Sequence, residues 1–133
     1  MSDTRARDEA AIQAVLADSY RAWEAGDAEG MVAHYRADAT AIMTGSLRGS
    51  RDVIRESMAL AFHGPLKGTS TYNKQLSLRF LGTEAAIVVS ESGILFPGQS
   101  EVPEGSRVNA TWVLAKQNGE WLIAAYHNSP VCA

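Results

Sequence analysis

Tyr20-Arg-Ala-Trp-Glu-Ala-Gly-Asp-Ala-Glu-Gly-Met-Val-Ala-His-Tyr-Arg-Ala-Asp-Ala-Thr40 is the stretch from which the fold can be read. It carries the end of a long amphipathic helix, a left-handed stop at Gly26, a second helix capped by Asp27, and a strand starting near Ala39. Upstream, Ile12, Val15, Leu16, Ser19, Tyr20 and Trp23 recur at spacings of three and four and predict one buried stripe. That helix begins with Ser2 or Asp3 as its cap. Met31, Val32 and Tyr35 form the inner side of the short second helix.

Downstream, residues 39–44 alternate as a strand, a Gly45-Ser46 turn follows, and Leu47-Arg48 makes a short return strand. Ser50 or Asp52 begins a third helix carrying Val53, Ile54, Met58 and Phe62, which ends before Gly64 and Pro65. After Gly68 the period changes from helix to sheet. Residues 71–81, 85–95, 107–116 and 120–128 predict four long antiparallel strands, with Asn118-Gly119 as a hairpin turn. The connection from Pro97 to Gly105, rich in Gly, Pro and Glu, predicts a mobile flap. The expectation is one α+β domain over residues 1–133, three N-terminal helices covering a curved antiparallel sheet.

Composition narrows the function. A chain of 133 residues, 46% apolar and 20% charged, can bury a core without disulfides or metal. Its net charge of -3 and scattered Lys and Arg offer no stripe for a nucleic-acid backbone. No apolar run is long enough to cross a bilayer, and the N-terminus is too polar for a secretory signal. Cys132 is the single cysteine, which suits a reducing cytosol. No paired His at helical spacing, no Cys-x-x-Cys and no phosphate loop appears, so neither a metal nor a nucleotide cofactor is implied.

The segments Trp23–Asp27, Tyr35–Ala39, Gly49–Ile54, Arg79–Ile87 and Asn118–Ser129 share their order and spacing with the SnoaL-like and nuclear transport factor two-like superfamily. The chain resembles that superfamily over nearly its whole length, and within it is similar to the SgcJ/EcaC family found in polyketide gene clusters, enediyne pathways included. The resemblance implies a cone-shaped α+β roll around a deep apolar pocket and a small-molecule ligand such as a polyketide or polyene intermediate. It implies an accessory role in antibiotic biosynthesis, shaping or cyclising that intermediate, or else a non-catalytic ligand-binding or protein-docking module.

The ketosteroid isomerases share this fold and are similar to the chain from Tyr20 to Ile54. Their general-base position falls on Met43, and a thioether abstracts no proton. Their oxyanion-hole Tyr falls on Ser19 or Tyr20, and the accompanying Asp on Thr111 or Val113. Both base and acid are thus missing. The SnoaL-like cyclases also use an acidic residue, and no Asp or Glu occupies an inward strand position here. Orientation of a substrate by neutral donors is the chemistry left.

The isomerase alignment sets Asn109, Thr111 and Val113 inward on the next-to-last strand, and Leu122, Ala124, Tyr126 and Asn128 inward on the last. The expected ligand contacts are therefore Tyr20, Trp23, Met43, Phe62, Asn109, Thr111, Tyr126 and Asn128. Asn109 and Thr111 are equally well explained by bonds to backbone or water, and Tyr20 and Trp23 by plain core packing. Strict alternation turns His127 outward, whereas a bulge near the strand end would turn it inward as the candidate catalytic group. His34 reads as surface and His63 as a helix-end residue. The last two strands are apolar on both faces, so the outer face is expected to be covered by a second copy in a homodimer.

Overall fold

The computed structural model describes residues 2–131, so Cys132 lies outside the described residues; Ser2 and Asp3, expected as the cap of the first helix, already lie within it. The order is α1 (Ser2–Glu24), α2 (Ala28–Met31), β1 (Tyr35–Met43), β2 (Ser46–Arg48), α3 (Arg51–Phe62), β3 (Ser70–Phe80), β4 (Ala85–Leu95), β5 (Val108–Gln117) and β6 (Glu120–Pro130). One six-stranded sheet runs β2-β1-β6-β5-β4-β3. All its pairs are antiparallel except β1 with β6, a parallel contact absent from the sequence reading.

The helix punctuation follows from single residues. Gly26 has φ +68°, a conformation that costs any residue with a Cβ. The Asp27 carboxylate then accepts from the Gly30 amide at 3.0 Å, and the Ser50 hydroxyl accepts from Val53 at 3.2 Å to start α3. Tyr35 opens β1 instead of closing a helix, and the strand begins four residues before the predicted Ala39. The His34 carbonyl accepts from Ile123, which captures the chain for the sheet that early. Val53, expected in the core, is exposed on α3, which buries Ile54, Met58 and Phe62.

The core fills the closed end of the concave face. Tyr35, Ile123, Leu114, Ala86 and Phe80 lie in one row across β1, β6, β5, β4 and β3. Ile12, Val15 and Leu16 are buried with them on α1. Burying such side chains contributes roughly 1.5–3 kcal/mol each.

Two strands carry one extra residue. Leu76 interrupts the β3–β4 register, and Ala124 interrupts the β5–β6 register. In β6 the consequence is a change of parity: Trp121 and Ile123 point inward before the bulge, and Tyr126 and Asn128 after it.

Asp8 fastens α1 to the β5–β6 hairpin. Its carboxylate accepts from the buried Trp121 Nε1 at 3.0 Å and from Lys116 Nζ at 3.1 Å. The Trp121 hydrogen bond, with Lys116 adding to it, holds the Asp8 pKa below the ordinary carboxylate value. A depressed folded-state pKa gives stability that is present above the unfolded pKa and lost as pH falls through the folded one. Asp8→Asn is therefore expected to cost about 1 kcal/mol at pH 7. That deficit should shrink as urea titrations are carried below the usual carboxylate range; a deficit that stays constant down to pH 2 contradicts the assignment.

The connection 97–105, expected to be a mobile flap, is pinned at its centre. Val102 is buried, and its Cγ1 lies 2.5 Å from where a Cβ at Gly93 would stand. Only glycine at position 93 lets the loop close on β4 this tightly. A 3-10 turn at Glu104–Ser106 then leads into β5.

Candidate ligand cavity

Beyond the core row the helices splay from the sheet and leave a cavity of about 450 Å³. From α1 it receives Ser19, Tyr20 and Trp23, from α3 Ile54 and Met58, and from β1 and β2 Ala41, Met43 and Arg48. Thr71 and Asn73 enter from β3, Ser92 from β4, Trp112 from β5, and Tyr126 and Asn128 from β6. This volume lies in the range of small-molecule sites.

Aromatic packing fixes the walls. Trp112 and Tyr126 pack with their rings tilted by 52° and centroids 4.4 Å apart, and Tyr20 meets Trp112 edge-on at 6.1 Å. Trp23 meets Phe62 at 5.5 Å, and its Nε1 donates to the Thr69 hydroxyl at 2.9 Å. Thr69 donates onward to the Leu66 carbonyl at 2.7 Å, so the indole has a fixed orientation.

Several polar groups are satisfied among themselves. Ser92 donates to Asn73 Oδ1 at 3.0 Å, and Asn73 Nδ2 donates to the Thr71 hydroxyl at 2.8 Å. Others are not. The Trp112 Nε1–H is buried with no hydrogen-bond partner. The Tyr126 oxygen accepts from Asn128 at 2.8 Å, which leaves its own proton free to donate.

The phenols stay protonated at neutral pH. Burial, reinforced by Tyr126, pushes the Tyr20 pKa up to about 12, and nearby Trp112 and Ser90 offset only part of this. Burial raises Tyr35 and Tyr126 in the same direction. Among the described residues the lining offers donors and contains no Asp, Glu or His. It can hold and polarise an oxygen-bearing apolar molecule through these donors.

Residues 12–133 match the family described as the SnoaL-like domain. The chain belongs to that family. Solved structures agree on the fold of this SnoaL-like domain. A protein of Nostoc punctiforme with a cystatin-like fold is 26% identical, with a TM-score of 0.87 over 96% of this chain and 79% of its own. An NTF2-like protein of Novosphingobium aromaticivorans is 15% identical, with a TM-score of 0.80 over 96% and 84%. A ketosteroid isomerase-like protein of Erwinia carotovora atroseptica is 18% identical, with a TM-score of 0.73 over 93% and 96%. No curated protein gives a significant match. Among the described residues, no helix is long and apolar enough to cross a membrane.

Within this SnoaL-like domain, Tyr20, Trp23, Met43, Tyr126 and Asn128 come together at the cavity as read from the sequence. Phe62 does not line it; it is buried behind Trp23. Asn109 and Thr111 are on the opposite face of β5, where Asn109 is exposed. The isomerase-based parity for β5 is thus off by one residue. Trp112 and Leu114 take the inside because the larger apolar side chains gain most from burial. On β6 the same parity fails before the bulge, where Leu122 faces outward and Trp121 and Ile123 are buried.

His127 is exposed on the outer face, in register with Thr111 and Ile42. The bulge exists, but it lies at Ala124 and keeps Tyr126 and Asn128 inside, which leaves His127 out. His34 pairs with Asp18 at 3.1 Å, and His63 caps α3 with its ring against the Ala59 carbonyl at 2.8 Å. Trp112, Tyr35 and Arg48 were missed. The parity that turns Asn109, Thr111 and Val113 inward puts Trp112 on the outer face, Tyr35 reads as part of a helix, and Arg48 reads only as the end of a short return strand.

Proposed function

We propose that the protein binds an apolar small molecule in this cavity and holds it in a defined shape. The observation that carries the reading is a lining of aromatic and aliphatic side chains with protonated donors and no general base. Binding of that kind suits a flexible polyketide or polyene intermediate, because confinement in one conformation favours one ring closure over others. The resemblance to the SgcJ/EcaC family supports an accessory place in polyketide antibiotic biosynthesis, enediyne pathways among them, and a cytosolic setting. Tyr20, Trp23, Met43, Tyr126 and Asn128 would contact the ligand. His127 has no route to the cavity and drops out of the catalytic assignment.

The test is a metabolite profile of the host with the gene deleted, then complemented by the native gene or by one with the cavity filled. Diversion of a polyketide to a shunt product, rescued only by the native gene, is the expected result. An unchanged profile removes the pathway reading.

The outer sheet face favours a homodimer. Ile42 is 42% exposed there, and the half-buried Val113, Ile87 and Leu122 lie elsewhere on the same face. A soluble domain gains by covering such a face with its own copy. Light scattering at micromolar concentration should give twice the chain mass, and a monomeric mass would remove the dimer.

A further inference from the structure

One row across the sheet contains the only charged group that lines the cavity among the described residues. Arg48 on β2 is in register with Ala41 on β1, Ala41 with Tyr126 on β6, and Tyr126 with Trp112 on β5. All four line the cavity. Three strand spacings separate the ends of the row, about 14 Å. Its second member is the smallest side chain in the row, so there is open space beside the guanidinium.

Arg48 is short of partners. Its Nη1 donates to the Met58 sulfur at 3.2 Å, a weak acceptor. Among the described residues no carboxylate forms an ion pair with it, whereas Arg21, Arg36 and Arg107 each pair with one and Arg55 with two. Partial burial lowers its pKa from the usual guanidinium value, which Tyr35 offsets only in part. A half-buried cation without a counter-charge costs free energy, and the cost is recovered when an anion enters. Further along the row, the free Tyr126 proton and the unpartnered Trp112 Nε1–H also call for acceptors.

We propose that the cavity recognises an anionic oxygen group on its ligand, a carboxylate or an acidic enolate, seated on Arg48 over Ala41. A second oxygen along the ligand meets Tyr126 and Trp112, and the apolar remainder packs against Trp23 and Met58. Guanidinium geometry fits either oxyanion through two parallel N–H bonds. The inference rests on the cavity being the ligand site.

Calorimetric titration of the full chain at pH 7 tests it with 2-naphthoate, its methyl ester, and 2-phenyl-1,3-indandione, an acidic β-diketone ionised at that pH. The native protein should prefer naphthoate, the dione, or both over the neutral ester by tenfold or more, and the probe that wins identifies the source of the oxyanion. Arg48→Met should erase the preference, read as the ratio of anion to ester affinity, while Arg48→Lys should restore part of it. Thermal melts of both variants show that they are folded. Equal binding of acid, dione and ester by the native protein overturns the anion site and leaves the cavity reading standing. So does a preference that survives in Arg48→Met. Binding of none of the three overturns the cavity reading together with the anion site.

Discussion

Leu114→Ala is expected to lower the unfolding free energy by about 3 kcal/mol, the usual loss when a buried Leu leaves a cavity that cannot collapse. Leu114 is 0% exposed, as are Ala86 and Ile123, its register partners on either side. Both neighbours are held in ladders, so neither can move in to fill the gap. In a domain whose total stability is roughly 5–15 kcal/mol, this is a large fraction. The thermal midpoint should fall by roughly 10 °C. Leu60, 77% exposed on α3, supplies the control; its change to Ala should cost less than about 0.5 kcal/mol. Urea unfolding of the two variants side by side makes the comparison. A loss under about 1 kcal/mol for Leu114→Ala would mean that the closed end of the cone is not the stable core.

The second large effect is on binding. Ala41→Phe places a ring into the cavity between Arg48 and Tyr126, where Ala41 is 4% exposed. A β-strand accepts an aromatic residue readily, and the ring enters space that no protein atom occupies, so the fold should keep its stability. Affinity for methyl 2-naphthoate should fall on the order of a hundredfold, about 2.7 kcal/mol. The neutral ester isolates the loss of space from any effect on Arg48. In the host, a gene carrying Ala41→Phe should fail to rescue the deletion. Undiminished ester binding by a folded Ala41→Phe protein would place the ligand site elsewhere.

Several helix boundaries and turns were legible because single residues set them. Gly26 with Asp27, Ser50, and the Asn118-Gly119 turn, with φ values of 53° and 81°, each act through their own backbone or side chain. The range of β4 was read correctly to the residue. Parity was not legible in β5, since Trp112 and Val113 are both apolar and alternation alone does not say which looks inward. The choice is made by the helices, which come from distant sequence. Arg48 shows a different limit. Its role depends on the register of β2 with β1 and of β1 with β6, and the parallel pairing leaves no turn signal in the chain.

The extra residue at Ala124 separates two tasks within β6. Ahead of it, Trp121 and Ile123 belong to the part that keeps the molecule folded; after it, Tyr126 and Asn128 face the cavity. If residues 121–128 ran as a regular strand with no bulge, a single alternation would put the two sets on opposite faces. With it, the lining at 126 and 128 can be rewritten while the anchor at 121 and 123 is left untouched. A strand divided in this way lets one scaffold change its guest without renegotiating its own stability.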